Sequence, residues 1–240
     1  MARSFSGAAS QYLNGGDVAA VDITGDYMTL ACWILKAVAG GNRWVLSKES
    51  FNANTGQFRM ECGSGVGGMI STGVTSNSVA GATTVPVLTW HHCAVVKDGT
   101  GTNSFRAYLD GKIDGHATSA GTIQNSAHPF LIGTRNGDDV PFNGYLAHAA
   151  VWHAGLTPNE ILELSRGMSP LLIRPQRLGG YWPLNEYGSA RDVSAANTVT
   201  TMTGTLPPVP GPTIPERAAE APFFPPNLYA GLIMTPIEAV

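Results

Sequence analysis

The sequence predicts an all-β protein: a two-layer sandwich with one short helix and an extended C-terminal arm. Three observations point there. Short apolar or alternating runs, punctuated by glycine and asparagine, recur from Arg3 to Met202. A single stretch, Thr157-Pro158-Asn159-Glu160 followed by Ile161, Leu162 and Leu164, carries helix-start chemistry. Nine of the sixteen prolines fall in the last 34 residues, where neither ladder nor helix is expected. The organisation is therefore a sandwich over 1–206 and a proline-rich arm over 207–240.

Taken in order, Arg3–Phe5 and Tyr12–Leu13 are the first strands, with Asn14-Gly15-Gly16-Asp17 as a turn. Met28–Leu35 is apolar throughout, as expected of a central strand. Gly40-Gly41-Asn42 turns the chain into Trp44–Ser47, and Asn54-Thr55-Gly56 turns it into Gln57–Cys62. Residues 63–86, rich in glycine, serine and threonine, read as loops and edge strands. Trp90–Val96 and Phe105–Leu109 flank a polar tip at 97–103. Asp110-Gly111 is a hairpin turn in which glycine takes positive φ at little cost, and Lys112-Ile113-Asp114 leads away. Pro129–Ile132 and Tyr145–Trp152 follow. Thr157 can accept from the Glu160 N–H while Glu160 reaches back to Thr157, Pro158 sits where a missing N–H is harmless, and Gly167 can end the helix. Tyr181–Leu184 and Val199–Met202 are the last strands.

Composition narrows the function. Only 13% of the 240 residues are charged, against about 25% in typical soluble domains. Net charge is −3, so no basic footprint for nucleic acid exists. No run approaches the ~18 apolar residues of a membrane span, and Met1–Gly7 lacks the apolar centre of a secretory signal. No Asn-x-Ser/Thr acceptor occurs. Three cysteines, Cys32, Cys62 and Cys93, all in expected strands, read as buried thiols of a protein made in a reducing cytoplasm.

From Leu206 onward the arm carries few charges and many apolar residues. An extended ribbon of this kind needs a surface to lie on, either its own sandwich or, in the preferred reading, a neighbouring subunit or other protein. Phe223, Phe224, Leu228, Tyr229, Leu232 and Ile233 are the expected contact residues.

The ordered set Trp90-His91-His92-Cys93-Ala94-Val95-Val96, Tyr108-Leu109-Asp110-Gly111, Leu131-Ile132-Gly133, Phe142-Asn143-Gly144-Tyr145 and Leu156-Thr157-Pro158-Asn159-Glu160-Ile161 resembles the laminin-G-like branch of the concanavalin A-like lectin/glucanase superfamily. Phe5-Ser6-Gly7 and Leu30-Ala31-Cys32-Trp33-Ile34 are similar to that family's first strands, so the likeness spans roughly 3–206. The resemblance implies two antiparallel sheets in jelly-roll order. It implies no single function, because the scaffold serves lectins, glycosidases, adhesion modules and inert structural domains.

The chemistry-bearing motifs are sparse. The superfamily's glucanases carry Glu-x-Asp-x-Glu on one strand, placing two carboxylates on one face; no such run is present, so no enzymatic activity is expected. Gly63-Ser64-Gly65-Val66-Gly67-Gly68 matches G-x-G-x-x-G but opens into no helix. The adjacent His91 and His92 point to opposite faces of a strand and cannot chelate one ion. Asn136-Gly137-Asp138-Asp139 reads first as a solvated turn, with Asp138 and Asp139 as the calcium candidates should the loop hold an ion. Trp33, Trp90, Trp152 and Trp182 read as core, with Trp44 undecided.

Two functions follow as expectations. The first, by analogy with laminin-G-like modules of tailed-phage structural proteins, is a non-enzymatic virion protein. In that reading it decorates a capsid, made in the host cytoplasm and anchored by its arm to the major capsid protein or neighbouring subunits. The second is a lectin-like carbohydrate-binding module for adhesion, gripping glycan with loops near 63–82, 97–104 and 134–143, with calcium as an optional ligand.

Overall fold

The computed structural model describes residues 1–41, 43–49, 56–137, 141–186, 188–197 and 200–212. The strands are β1 Ala2–Ser6, β2 Tyr12–Gly16, β3 Tyr27–Lys36, β4 Trp44–Lys48, β5 Phe58–Cys62, β6 Val66–Ser71, β7 Ser76–Ala80 and β8 Trp90–Asp98. They continue with β9 Gly101–Leu109, β10 Lys112–Ser119, β11 Phe130–Ile132, β12 Asn143–Trp152, β13 Leu178–Trp182, β14 Thr201–Thr203 and β15 Pro208–Val209; the helix α1 spans Pro158–Ser165.

Among these residues the strands make two antiparallel sheets. An eight-stranded sheet runs β10-β9-β8-β3-β12-β1-β15, with β13 also paired to β12. A seven-stranded sheet runs β14-β2-β11-β4-β5-β6-β7. Neighbours distant in sequence, such as β3 beside β12 and β4 beside β11, are what a jelly-roll sandwich requires. Among the described residues no helix is long and apolar enough to cross a membrane.

Side-chain alternation sends one set of residues from each sheet into a shared core. Leu30, Cys32, Ile34, Val95 and Phe105 from the larger sheet meet Leu46, Phe58, Met60, Ile70 and Phe130 from the smaller. Phe130 stacks on Trp182 with ring centroids 4.9 Å apart, joining the layers. Cys32, Cys62 and Cys93 are buried, unlinked thiols inside it, as expected.

Two local predictions are met closely. Asp110 (φ 49°) and Gly111 (φ 81°) both take positive φ between β9 and β10, the signature of a tight primed hairpin turn. At the helix start the Glu160 N–H donates to Thr157 Oγ1 at 3.3 Å, and the Thr157 N–H donates to Glu160 Oε2 at 2.7 Å.

Several expectations need correction. Asn14–Gly16, expected as a turn, belongs to β2. Within 63–86, Val66–Ser71 is a wholly buried interior strand rather than a loop or edge strand, while β7 is the edge strand expected there. A Cβ on Gly68 would lie 2.8 Å from Val95 Cγ1 of the facing sheet, so this glycine lets the layers approach. The polar tip at 97–103 shrinks to a turn, because β8 runs to Asp98 and β9 starts at Gly101. The proline-rich stretch begins inside the fold: Ala2 pairs with Val209 and Arg3 with Pro208, and the Ser4 N–H donates to Pro207 O. A proline is tolerated there because β15 is an edge strand. Of the tryptophans, Trp152 and Trp182 are fully buried, whereas Trp33 and Trp90 are only half-buried.

The buried Lys48 pins the end of β4. Its ammonium lies 2.6 Å from Asp17 and 3.0 Å from Asp22, and donates to the carbonyls of Ser126 and His128, each at 2.7 Å. A desolvated ammonium is tolerated only with such full compensation.

Candidate functional site

The outer faces of the two sheets are built differently, and this locates the site. Outside the eight-stranded sheet, Ala31, Ala94, Tyr108, Ala150 and Trp152 are covered by Ile161 and Leu164 of α1 and by Ile173. The Trp152 indole N–H donates to Ile173 O at 2.8 Å, so even its polar atom is spent inward. His92 and His148 are enclosed under this cover; burial pushes both imidazoles down to about 4.

On the seven-stranded sheet the register aligns Asn14, Leu131, Ser47, Arg59 and Met69 in one row across β2, β11, β4, β5 and β6. Leu46 and Met60 occupy the opposite face, in the core, so alternation puts this row outside. Here Trp44 is 4% exposed. The Arg59 guanidinium carbon sits 4.6 Å from its ring centroid and that of Arg135 4.5 Å, a double cation–π contact. Arg59 Nη1 pairs with Glu49 Oε1 at 3.1 Å and its Nε with Glu61 Oε2 at 3.2 Å; Arg135 Nη1 lies 3.9 Å from Glu49 Oε1. Burial raises the Glu49 carboxyl to about 7, with Arg59 and Arg135 pulling the other way. Glu61 is likewise raised by burial and opposed by Arg59.

Beside this cluster the loop after β11 lies along β4. Ser47 Oγ donates to Thr134 O at 2.8 Å, and the Asn136 N–H donates to Glu49 O at 3.2 Å. The loop and β2 enclose an open groove of about 200 Å³ lined by Tyr12, Asn14, Leu131, Thr134, Arg135 and Asn136. Residues bearing an aromatic ring, two primary amides and a guanidinium thus line one concavity.

Among the sequence candidates, Asn136 and Gly137 line this groove, while Asp138 and Asp139 lie outside the described residues. Among those described, no cluster of three or more His, Cys, Asp or Glu could hold a metal. The arm contacts Phe223, Phe224, Leu228, Tyr229, Leu232 and Ile233 also lie outside the described residues. Of the loops expected to grip glycan, 134–137 forms the groove; 66–71 and 76–80 are strands. The Trp44–Arg59–Arg135 clamp was missed by sequence reasoning. Its only sequence signal is the β4–β5 hairpin, which sets Trp44 opposite Glu61.

Comparison with known proteins is consistent with this architecture. A laminin G family model, described as the concanavalin A-like lectin/glucanases superfamily, matches residues 7–162. No curated protein matches the chain. Among solved structures, a candidate carbohydrate-binding protein from Bacteroides ovatus superposes with TM-score 0.64 at 18% identity, covering 88% of this chain and 60% of that one. The native heptameric SAP-like pentraxin of Limulus polyphemus gives TM-score 0.53 at 14% identity, covering 68% of this chain and 81% of that one. This chain therefore spans less than two thirds of the Bacteroides protein. At such identities the likeness is one of fold.

Proposed function

This chain belongs to the concanavalin A-like lectin/glucanases superfamily, and from that premise we propose that it is a non-catalytic carbohydrate-binding module. The observation that carries the reading is the groove of Tyr12, Asn14, Thr134, Arg135 and Asn136, on a face that no helix covers among the described residues. A pyranose offers an apolar C–H face and a rim of hydroxyls. Tyr12 supplies a surface for the first; for the second, the Asn14 amide offers its N–H donors, its oxygen already accepting the Gly16 N–H at 2.8 Å, and Asn136 offers a second amide. Arg135 is held by its stack on Trp44 and by Glu49, which fixes the groove wall before any ligand arrives. The candidate carbohydrate-binding role of the Bacteroides structure is in keeping with this assignment.

The same face argues against hydrolysis. Its paired carboxylates, Glu49 and Glu61, are both tied to Arg59, and Glu49 is fully buried. A glycosidase needs two carboxyl groups that can flank the scissile bond. The arm-anchored capsid reading rests on the arm over 207–240, whose expected contact residues from Phe223 to Ile233 lie outside the described residues; the glycan reading is preferred.

Glycan-array screening followed by titration of the full chain tests the proposal. At least one neutral oligosaccharide should bind, and Tyr12→Ala and Asn136→Ala should each weaken it about tenfold or more. An array without a neutral binder, or variants that bind as tightly as the parent, would overturn it.

A further inference from the structure

We propose a second binding groove, sharing no residue with the first, at the end of the sandwich where β3 begins, and we infer that it takes an acidic saccharide through a carboxylate. The groove encloses about 380 Å³, within the range of small-molecule sites.

One wall is Tyr27, paired across β3 and β8 with Asp98 and 54% exposed. The half-buried Asp98 is already engaged by Arg106 at 3.3 Å. The floor is Ala154 and Gly155; a Cβ on Gly155 would lie 2.8 Å from Asp98 and 2.9 Å from Lys97 O, so glycine is what lets this loop pack against the end of β8.

The opposite wall is the turn Arg174–Arg177, and it is rigidly built. Arg174 adopts the left-handed conformation (φ 43°), a costly one for a non-glycine residue, which persists only where the surroundings hold it. Glu160 does so with two charge-assisted bonds, from Arg174 Nε at 2.7 Å and Nη2 at 2.8 Å. Glu160 is also the reciprocal cap of α1, so helix and turn are locked by one carboxylate. The Arg177 N–H donates to Arg174 O, and Arg177 O accepts from the His153 N–H, both at 2.8 Å. His153 is oriented in turn by its Nε2–H, which donates to Ala20 O at 2.8 Å.

This framework presents Gln176 and Arg177 to the groove. The positive and negative charges of Arg174 and Glu160 cancel, as do those of Arg106 and Asp98. Arg177 makes no ion pair among the described residues, so it is the uncompensated charge of the groove. A guanidinium on a fixed backbone matches a carboxylate through two parallel N–H···O bonds. Facing it, the Tyr27 ring gives an apolar plane for the C–H face of a sugar. That the anion is carried on a sugar rests on the carbohydrate-binding reading; that an anion binds does not.

The test is titration of the full chain with oligogalacturonate and with its methyl-esterified form, which keeps the sugar and removes the charge. The acid should bind, the ester at least about tenfold more weakly, and affinity should fall with added salt. Arg177→Gln and Tyr27→Ala should each cost about tenfold or more, whereas Arg166→Gln, which removes an exposed charge elsewhere, should cost nothing. Backbone amide shifts on titration should localise to residues 27, 98, 153–155, 174, 176 and 177. Equal binding of acid and ester, absence of binding, indifference to Arg177→Gln, or shifts confined to 12–14 and 134–137 would each overturn the proposal. Acid binding with no neutral binder on the array would leave this groove standing and remove the first.

Discussion

The two outer faces of the sandwich solve the same problem in opposite ways. Outside the eight-stranded sheet, α1 and the segment to Ile173 seal an apolar patch centred on Trp152. Outside the seven-stranded sheet, the buried Trp44 is covered by two arginines, of which Arg59 is held by Glu49 and Glu61. Hydrocarbon cover is stable and closed to ligand. A charged cover leaves directional groups at the surface, and the groove at Tyr12 and Asn136 opens beside it. The contrast extends to protons. On the sealed face burial favours neutral imidazoles, His92 and His148; on the charged face it favours a protonated carboxyl, Glu49.

The largest expected effect separates stability from binding. Trp152→Ala removes a fully buried ring and its bond to Ile173, and should cost about 3–5 kcal/mol in denaturant unfolding. Tyr12→Ala should cost well under that, because the ring is only partly buried, yet weaken glycan binding. Were the tryptophan variant as stable as the parent, the sealed face would not hold the fold as argued.

Acid should act next, through the sealed face. His92 and His148 have folded values near 4, below the ordinary 6.5, so the unfolded chain binds their protons first. Their contribution is complete above pH 6.5 and is lost as pH falls through about 4. A shift of this size is worth about 3 kcal/mol for one histidine, and because the two positive forms repel, the pair gives less than twice that. His92→Gln should flatten the stability profile between pH 4 and 6.5, measured as denaturation midpoint against pH. An unchanged slope would mean that His92 does not titrate as a buried neutral ring.

Glu49 should bend the same curve the other way, more weakly. Its folded value, near 7, lies above the usual 4.5. Its contribution is therefore complete below pH 4.5 and is lost as pH rises through about 7. After allowance for disruption of its arginine pairs, Glu49→Gln should remove a decline of about 2 kcal/mol across that window. If the variant keeps the parent's decline, the charged cover is better hydrated than its burial suggests.

How far these features could be read from sequence depends on how locally they are encoded. The Thr157 cap and the Asp110–Gly111 turn need only residues within four positions of one another, so the chain announces them. Val66–Ser71 was hidden because its glycines, which ordinarily mark a loop, are there for close approach: Gly68 to Val95 across the sandwich and Gly67 to the Glu61 side chain of β5. The clamp on Trp44 draws Glu49, Arg59 and Arg135 from three segments, and no spacing rule joins them. The groove was legible only as the loop at Asn136, since its other wall, Tyr12 and Asn14, arrives through the pairing of β2 with β11.

The smallest effect bears on how the sealed face is closed. Thr157→Ala removes the hydroxyl that accepts the Glu160 N–H at 3.3 Å, and loss of such a cap costs about 1 kcal/mol. Glu160 keeps its two bonds to Arg174, so the turn at Arg174–Arg177 should hold and only the first helical turn should loosen. Amide hydrogen exchange should quicken at Glu160 and Ile161 and stay unchanged at Arg177, whose N–H is bonded within the turn. Faster exchange at Arg177 as well would show that helix and turn open as one unit, and that the cover over Trp152 is a single cooperative lid rather than two pieces sharing a carboxylate.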